Sequence, residues 1–127
     1  MLFRSYVDDT EGDAIYAFPR AEDGTLGEPV VYARLAELEQ GPAGLRSRAD
    51  GMTIDADGRL YVHGENGEVL LAEATPEAYR EKGRFTPANP PRHERNREVA
   101  WAYPALANGR LYVRDLNVIW CYDVRGK

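Results

Sequence analysis

DADGRLYV, at residues 55–62, is nearly repeated as LANGRLYV at residues 106–113, 51 positions later. In both copies an Asp-Gly or Asn-Gly dipeptide precedes the shared letters RLYV, and these dipeptides favour tight hairpin turns. Leu and Val then alternate with Tyr, as in a strand that buries one face. Each copy therefore predicts a turn followed by a β-strand.

Alignment on the Tyr-Val pair reveals a third copy. Tyr6-Val7 lies 55 residues before Tyr61-Val62, and Tyr112-Val113 lies 51 residues after it. Further β-prone runs surround these pairs: EPVVYARL and EKGRFTP follow the first two copies, and DGMTIDAD and WAYPALAN precede the last two. The repeating unit is therefore about four short antiparallel strands, which is typical of a β-propeller blade with a period of roughly 40–50 residues.

We predict an all-β fold, a β-propeller fragment of two to three four-stranded antiparallel blades. The fragment is a single partial domain over residues 1–127, with Leu60-Tyr61-Val62 and Leu111-Tyr112-Val113 in equivalent second strands. Coincidental hairpins in a β-sandwich are the alternative. The helix signals in LAELEQ and TPEAYREKG are short and interrupt strand patterns, so we assign both segments to loops.

The ends of the chain bear on its assembly. LFRS, at residues 2–5, is what the end of a common sequencing adapter encodes, so we expect residues 1–5 to be non-native and upstream blades to be missing. Propellers need about four to eight blades to close a ring. We therefore expect either the tail of a longer propeller or self-association through open blade edges. The cellular compartment cannot be inferred from such a start.

Composition excludes several classes of partner. The net charge of −5 disfavours nucleic acid, and the basic run PRHERNRE at residues 91–98 is interpreted as a solvated loop. No apolar run approaches the roughly 18 residues of a membrane span, so none is expected. Cys121 is the only cysteine, which excludes an internal disulfide; its strand pattern predicts a small buried residue.

The first half, about residues 6–63, resembles the regucalcin and gluconolactonase family, also called senescence marker protein or luciferin-regenerating-enzyme-like. The resemblance rests on YVDDTEGDAIYAFPRAEDGTLGEPVVYARL and ADGMTIDADGRLYV. It implies a six-bladed propeller that holds a divalent metal, calcium or zinc, in its central channel. It also implies hydrolysis of sugar lactones, with a lactone or sugar acid as the substrate.

The second half of the chain is the segment 64–127. Over about residues 64–124 it is similar to the terminal blades of pyrroloquinoline-quinone-like propellers. EATPEAYREKGRF and WAYPALANGRLYVRDLNVIWCYDV carry this resemblance. It implies the alternative function, a non-catalytic scaffold for binding or assembly. A natural mosaic and a spliced assembly of two genes both remain open.

Asp50 matches a metal-ligand aspartate of the lactonase family, and the resemblance makes it the candidate catalytic and metal-binding residue. An ordinary strand-entry turn at Asp50-Gly51 is the alternative. The family's other ligands, a glutamate and two asparagines from earlier blades, have no counterpart, since no asparagine precedes Asn66. Ca²⁺ takes about six to eight oxygens. We therefore predict that this chain alone neither holds the metal nor hydrolyses a lactone.

The other polar and aromatic candidates are better explained by structure than by chemistry. The acidic cluster lacks the spacing of a calcium loop and is interpreted as a solvated hairpin loop. The histidine is interpreted as a strand-end residue, and the tryptophans as blade-packing residues rather than quinone-stacking ones. These candidates are Asp8, Asp9, Glu11 and Asp13, then His63, and then Trp101 and Trp120.

Overall fold

A computed structural model describes residues 3–8, 12–35, 39–41, 44–46, 49–91 and 102–126. These parts of the chain form β-strands and no helix, which confirms the all-β prediction. The strands are β1 (Phe3–Asp8), β2 (Ala14–Arg20), β3 (Val30–Arg34), β4 (Glu39–Gly41), β5 (Gly44–Arg46), β6 (Ala49–Ile54), β7 (Arg59–Gly64), β8 (Val69–Glu73), β9 (Glu81–Phe85), β10 (Ala105–Ala107), β11 (Arg110–Asp115) and β12 (Val118–Asp123).

The strands form three antiparallel sheets and one small hairpin. The first sheet has the order β1-β2-β3, the central sheet β6-β7-β8-β9, and the last sheet β10-β11-β12. Strands β4 and β5 pair only with each other among the described strands. The three larger sheets are not closed into a ring, so the assignment of the sheets to propeller blades stays a prediction.

The repeated letters lie in equivalent strands, as predicted. Tyr61 is in β7, the second strand of the central sheet, and Tyr112 is in β11, the second strand of the last sheet. Both strands pair antiparallel with the strand that follows them: Tyr61 is opposite Leu71, and Tyr112 is opposite Cys121. Tyr6, in β1, pairs in the same way with β2. The three Tyr-Val pairs therefore open three similar hairpins.

The turns before β7 and β11 differ in length, although both end in glycine. Ala107 pairs with Arg110, so Asn108 and Gly109 form a two-residue turn with φ values of 50° and 70°. Positive φ at both positions is what such a tight hairpin needs, and Asn-Gly supplies it. Before β7, only Gly58 has a positive φ, 77°, and the turn contains one more residue.

Two apolar clusters hold the sheets together, and β7 contributes to both. Leu60 and Val62 lie in the cluster shared with the first sheet, where Ile15 and Ala33 are fully buried. Tyr61 lies in the other cluster, together with Leu111 of the last sheet. Because side chains alternate along a strand, the central sheet is covered on both faces.

Two predictions about local structure were wrong. Cys121 is exposed rather than buried, because β12 turns Trp120 and Tyr122 toward the cluster and Cys121 toward the opposite face. The segment LAELEQ does not end in a loop, since Glu39–Gly41 forms β4 of the small hairpin. In the segment TPEAYREKG, residues 75–80 form a loop as predicted, whereas the last three residues belong to β9 (Glu81–Phe85). The basic run beyond Pro91 lies outside the described residues.

Candidate functional site

An open groove of about 450 Å³ lies where the first and central sheets meet the segment before β10. The central sheet forms its floor, and Tyr6 on one side and Tyr103 on the other form its walls. The lining residues are Tyr6, Met52, Thr53, Ile54, Leu60 and Tyr103. Apart from the Thr53 hydroxyl and the two phenol groups, these side chains offer only apolar surface, so the groove suits an apolar ligand.

Aromatic packing positions the first wall of the groove. The ring of Tyr6 contacts the ring of Tyr32 in β3, with centroids 4.8 Å apart and planes inclined by 56°. Tilted pairs of this kind are favourable because the edge of one ring meets the face of the other. The Tyr6 side chain is thereby held between the first sheet and the groove.

A close backbone contact positions the second wall. Gly51 of β6 passes so near Tyr103 that a Cβ at residue 51 would lie 2.9 Å from the Tyr103 Cα and 2.6 Å from its Cδ1. Only glycine allows two backbones to approach in this way. The ring of Tyr103 is mostly exposed, at 66%. Gly51 therefore fixes the backbone of Tyr103 beside the groove while leaving its ring open to solvent.

His63 is a structural residue next to this contact. It lies near the end of β7, as predicted, and is almost fully buried. Its Nδ1 is 3.0 Å from the backbone oxygen of Ala102. Because a carbonyl oxygen only accepts, Nδ1 must carry the proton and donate it. The imidazole therefore ties the central sheet to the segment that carries Tyr103.

Asp50 lies on the same strand as the groove floor. Its backbone belongs to β6, at a shift of register between Ala49 and Gly51 where β6 pairs with β7. Such irregularities change the direction in which a side chain points. The Asp50 side chain is outside the described structure, so its catalytic and metal-binding roles stay predictions. In the described ranges, no group of three or more His, Cys, Asp or Glu is arranged to hold a metal ion.

The remaining candidates lie away from the groove or outside the described residues. Asp13 forms an ion pair with Arg34, with 3.0 Å between Oδ1 and Nη1. Asp8 contributes its backbone to β1, whereas Asp9, Glu11 and Trp101 are not among the described residues. Trp120 packs against the second cluster, and its Nε1 donates to the backbone oxygen of Ala88 at 2.9 Å.

A network of ion pairs surrounds β9, on the outer edge of the central sheet. The Arg84 guanidinium donates to Glu81 and lowers the pKa of that carboxyl. Burial and a hydrogen bond to Glu81 raise the pKa of Tyr79 well above its ordinary value. Lys82 and Arg80 together lower the pKa of Glu73, chiefly through a hydrogen bond from Lys82. This network stabilises charges at an edge and contributes no group to the groove.

Sequence reasoning missed the groove as a site. Tyr6 was recognised only as part of the Tyr-Val repeat, and nothing in the sequence marked Tyr103. The one available signal was Gly51, because a glycine inside a strand pattern often marks a close approach of another backbone.

No helix in the described ranges has the length and apolar character needed to cross a membrane. Comparison with protein-family models, curated proteins and solved structures gave no match.

Proposed function

We propose that this chain is a propeller-type binding scaffold and that the groove along β6 is its ligand site. The observation that carries the proposal is the apolar lining of the groove, formed by Met52, Ile54 and Leu60 between two tyrosines. Apolar grooves with a few polar groups are typical ligand sites. Among the described residues, the lining contains no carboxylate, imidazole or thiol that would act as an acid, base or nucleophile at neutral pH.

The propeller assignment is supported by the repetition of the sheets. The central and last sheets both have their Tyr-Val strand in second place, and the sheets pack face to face through apolar clusters. The first strands of the central and last sheets, β6 and β10, lie close to each other. Neighbouring first strands are what a radial arrangement of blades requires.

The second candidate function is metal-dependent hydrolysis of a sugar lactone. The position of Asp50 in β6, the strand that forms the groove floor, favours it. A metal held there would polarise the lactone carbonyl and acidify a bound water. This candidate requires further oxygen ligands that the matching positions of this chain do not supply.

Titration with the apolar dye 1-anilinonaphthalene-8-sulfonate tests the binding scaffold. We expect saturable binding that Met52→Asp weakens at least about tenfold, because a carboxylate in the groove floor opposes burial of apolar surface. The matched control is Val30→Asp, at a residue 57% exposed on β3 and outside the groove lining. Thermal melts of both variants verify folding. Equal dye affinity in both variants would contradict the proposal.

Calorimetric titration of calcium and zinc, paired with a gluconolactone assay, tests the hydrolase. The scaffold proposal predicts no saturable turnover by this chain. Tight one-to-one metal binding, with turnover that Asp50→Asn lowers together with metal affinity, would instead establish the lactonase function.

A further inference from the structure

The groove floor contains a thioether, which hydroperoxides oxidise. Of the described lining residues, Met52 alone carries a sulfur atom, and the others offer hydrocarbon surface, a threonine hydroxyl or phenols. The chain has two methionines, Met1 and Met52, and Cys121 is its only thiol. Cys121 lies in β12, away from the groove lining. Oxidation within the described groove would therefore take place at the Met52 sulfur.

The position of Met52 combines packing with access. In β6 it is opposite Val62 of β7, which is only 3% exposed. Its side chain packs against the apolar cluster shared with the first sheet, yet it is partly exposed and lines the open groove. A hydroperoxide is small compared with a groove of about 450 Å³. The thioether is therefore part of the groove surface that a dissolved oxidant meets.

The oxidation itself needs only the thioether and a hydroperoxide. The sulfur supplies an electron pair to the outer oxygen of the O–O bond, and that bond breaks. The outer oxygen stays on sulfur as the sulfoxide, and its proton moves to the other oxygen, which leaves as water or an alcohol. The sulfur is oxidised and the peroxide is reduced, so the step requires no further reactant.

The sulfoxide changes the surface that the groove offers to a ligand. Oxidation converts a flexible apolar side chain into a polar, chiral one. An apolar ligand that covers the sulfoxide removes its oxygen from water, and burial of a polar group without a hydrogen bond is unfavourable. The affinity of the groove for an apolar ligand should therefore fall when Met52 is oxidised.

We propose that Met52 is an oxidation site through which hydroperoxides reversibly lower the affinity of the groove for its apolar ligand. The proposal rests on the proposed function, because it describes the regulation of the same groove. Reduction reverses the change, since methionine sulfoxide reductases act on both sulfoxide epimers. In that step the sulfoxide oxygen leaves as water, and two thiols of the reductant form a disulfide.

Dye titration before and after treatment with hydrogen peroxide tests the oxidation site. The proteins compared are the full chain and its Met52→Leu variant, in which a side chain of similar volume lacks the sulfur. Both carry Cys121→Ser, so that no thiol competes for the peroxide. The quantity compared is the change of 1-anilinonaphthalene-8-sulfonate affinity on oxidation within each protein. Mass-spectrometric peptide mapping locates the sulfoxide.

We expect the sulfoxide to form at Met52 in the folded chain and the dye to bind about three- to tenfold more weakly afterwards. In Met52→Leu the peroxide should leave the dye affinity as it was, although Met1 and the tyrosines meet the same oxidant. Reductases for both epimers should restore the affinity of the oxidised chain.

Several results would overturn the oxidation site. Oxidation of Met52 only after unfolding in urea would show that peroxide does not reach it in the groove. An unchanged dye affinity after oxidation, or an equal loss in Met52→Leu, would remove Met52 as the cause. A loss that the reductases do not reverse would contradict reversible control. Thermal melts that find the oxidised chain unfolded at the assay temperature would assign the effect to the fold.

Failure of the proposed function is recognised separately. If the untreated chain binds no dye, or Met52→Asp and Val30→Asp bind it equally, the groove is not the ligand site and both proposals fail. If the untreated chain binds dye and only Met52→Asp weakens it, the groove remains a ligand site. An absent response to peroxide would then overturn the oxidation site alone.

Discussion

Strands β7 and β11 share the letters RLYV but differ in their surroundings. In β7 the four residues from Leu60 to His63 are all buried, whereas along β11 buried and exposed residues alternate. The contrast is clearest at the shared tyrosine, since Tyr61 is 5% exposed and Tyr112 is 36% exposed. The same local sequence therefore forms the same strand with two different degrees of burial.

The difference arises from the neighbouring sheets. The first sheet covers one face of the central sheet and the last sheet covers the other. In the last sheet, Ile119 and Cys121 share the face of Tyr112 and are exposed. Alternation along the strand sets the face to which each side chain points, and packing against other sheets decides whether the side chains on that face are buried.

Truncation of the two equivalent tyrosines should give the largest contrast. We expect Tyr61→Ala to lower the free energy of unfolding by about 3 kcal/mol, because it empties a buried aromatic site. Tyr112→Ala should cost less, about 1 kcal/mol, since Tyr112 is already 36% exposed and loses less buried surface. Urea denaturation of both variants measures the difference. Similar losses would show that the two strands have equivalent surroundings.

A pair of glycines tests the contact between the central sheet and the segment before the last sheet. Gly51→Ala should lower the free energy of unfolding by about 1–3 kcal/mol, because its Cβ would collide with the Tyr103 backbone. A Cβ at Gly83 in β9 would have no atom within 4 Å, so Gly83→Ala should be neutral or stabilise by up to about 1 kcal/mol. Equal effects in thermal or urea unfolding would place Tyr103 elsewhere.

Acidification should have the smallest effect, through the ion pairs of β9. The hydrogen bond from Arg84 lowers the pKa of Glu81 below its ordinary value of 4.5. A carboxyl with a lower pKa in the folded state stabilises the fold above its unfolded pKa and loses that contribution as pH falls through the folded pKa. Unfolding free energy should therefore decline below about pH 4.5, and Glu81→Gln should flatten this decline. An unchanged pH profile in Glu81→Gln would remove Glu81 as the cause.

The sequence predicted features that depend on neighbouring residues along the chain. The Tyr-Val repeat located β7 and β11, and Asn108-Gly109 predicted the tight turn between β10 and β11. Features that depend on distant segments were missed. The exposed side of Cys121 depends on which face of the last sheet is covered, and the groove depends on Tyr103 crossing Gly51. Neither contact leaves a periodic pattern in the sequence.

Tyrosine nitration of the native chain tests the central claim most directly, because a single reaction compares Tyr61 with Tyr112 in the same molecule. Burial shields the ring of Tyr61 and also raises the pKa of its phenol, which disfavours the reactive phenolate. With tetranitromethane and mass-spectrometric mapping, we expect nitration of Tyr112 and of the exposed Tyr103, whereas Tyr61 reacts only after unfolding. Nitration of Tyr61 and Tyr112 at equal rates in the folded chain would contradict the account.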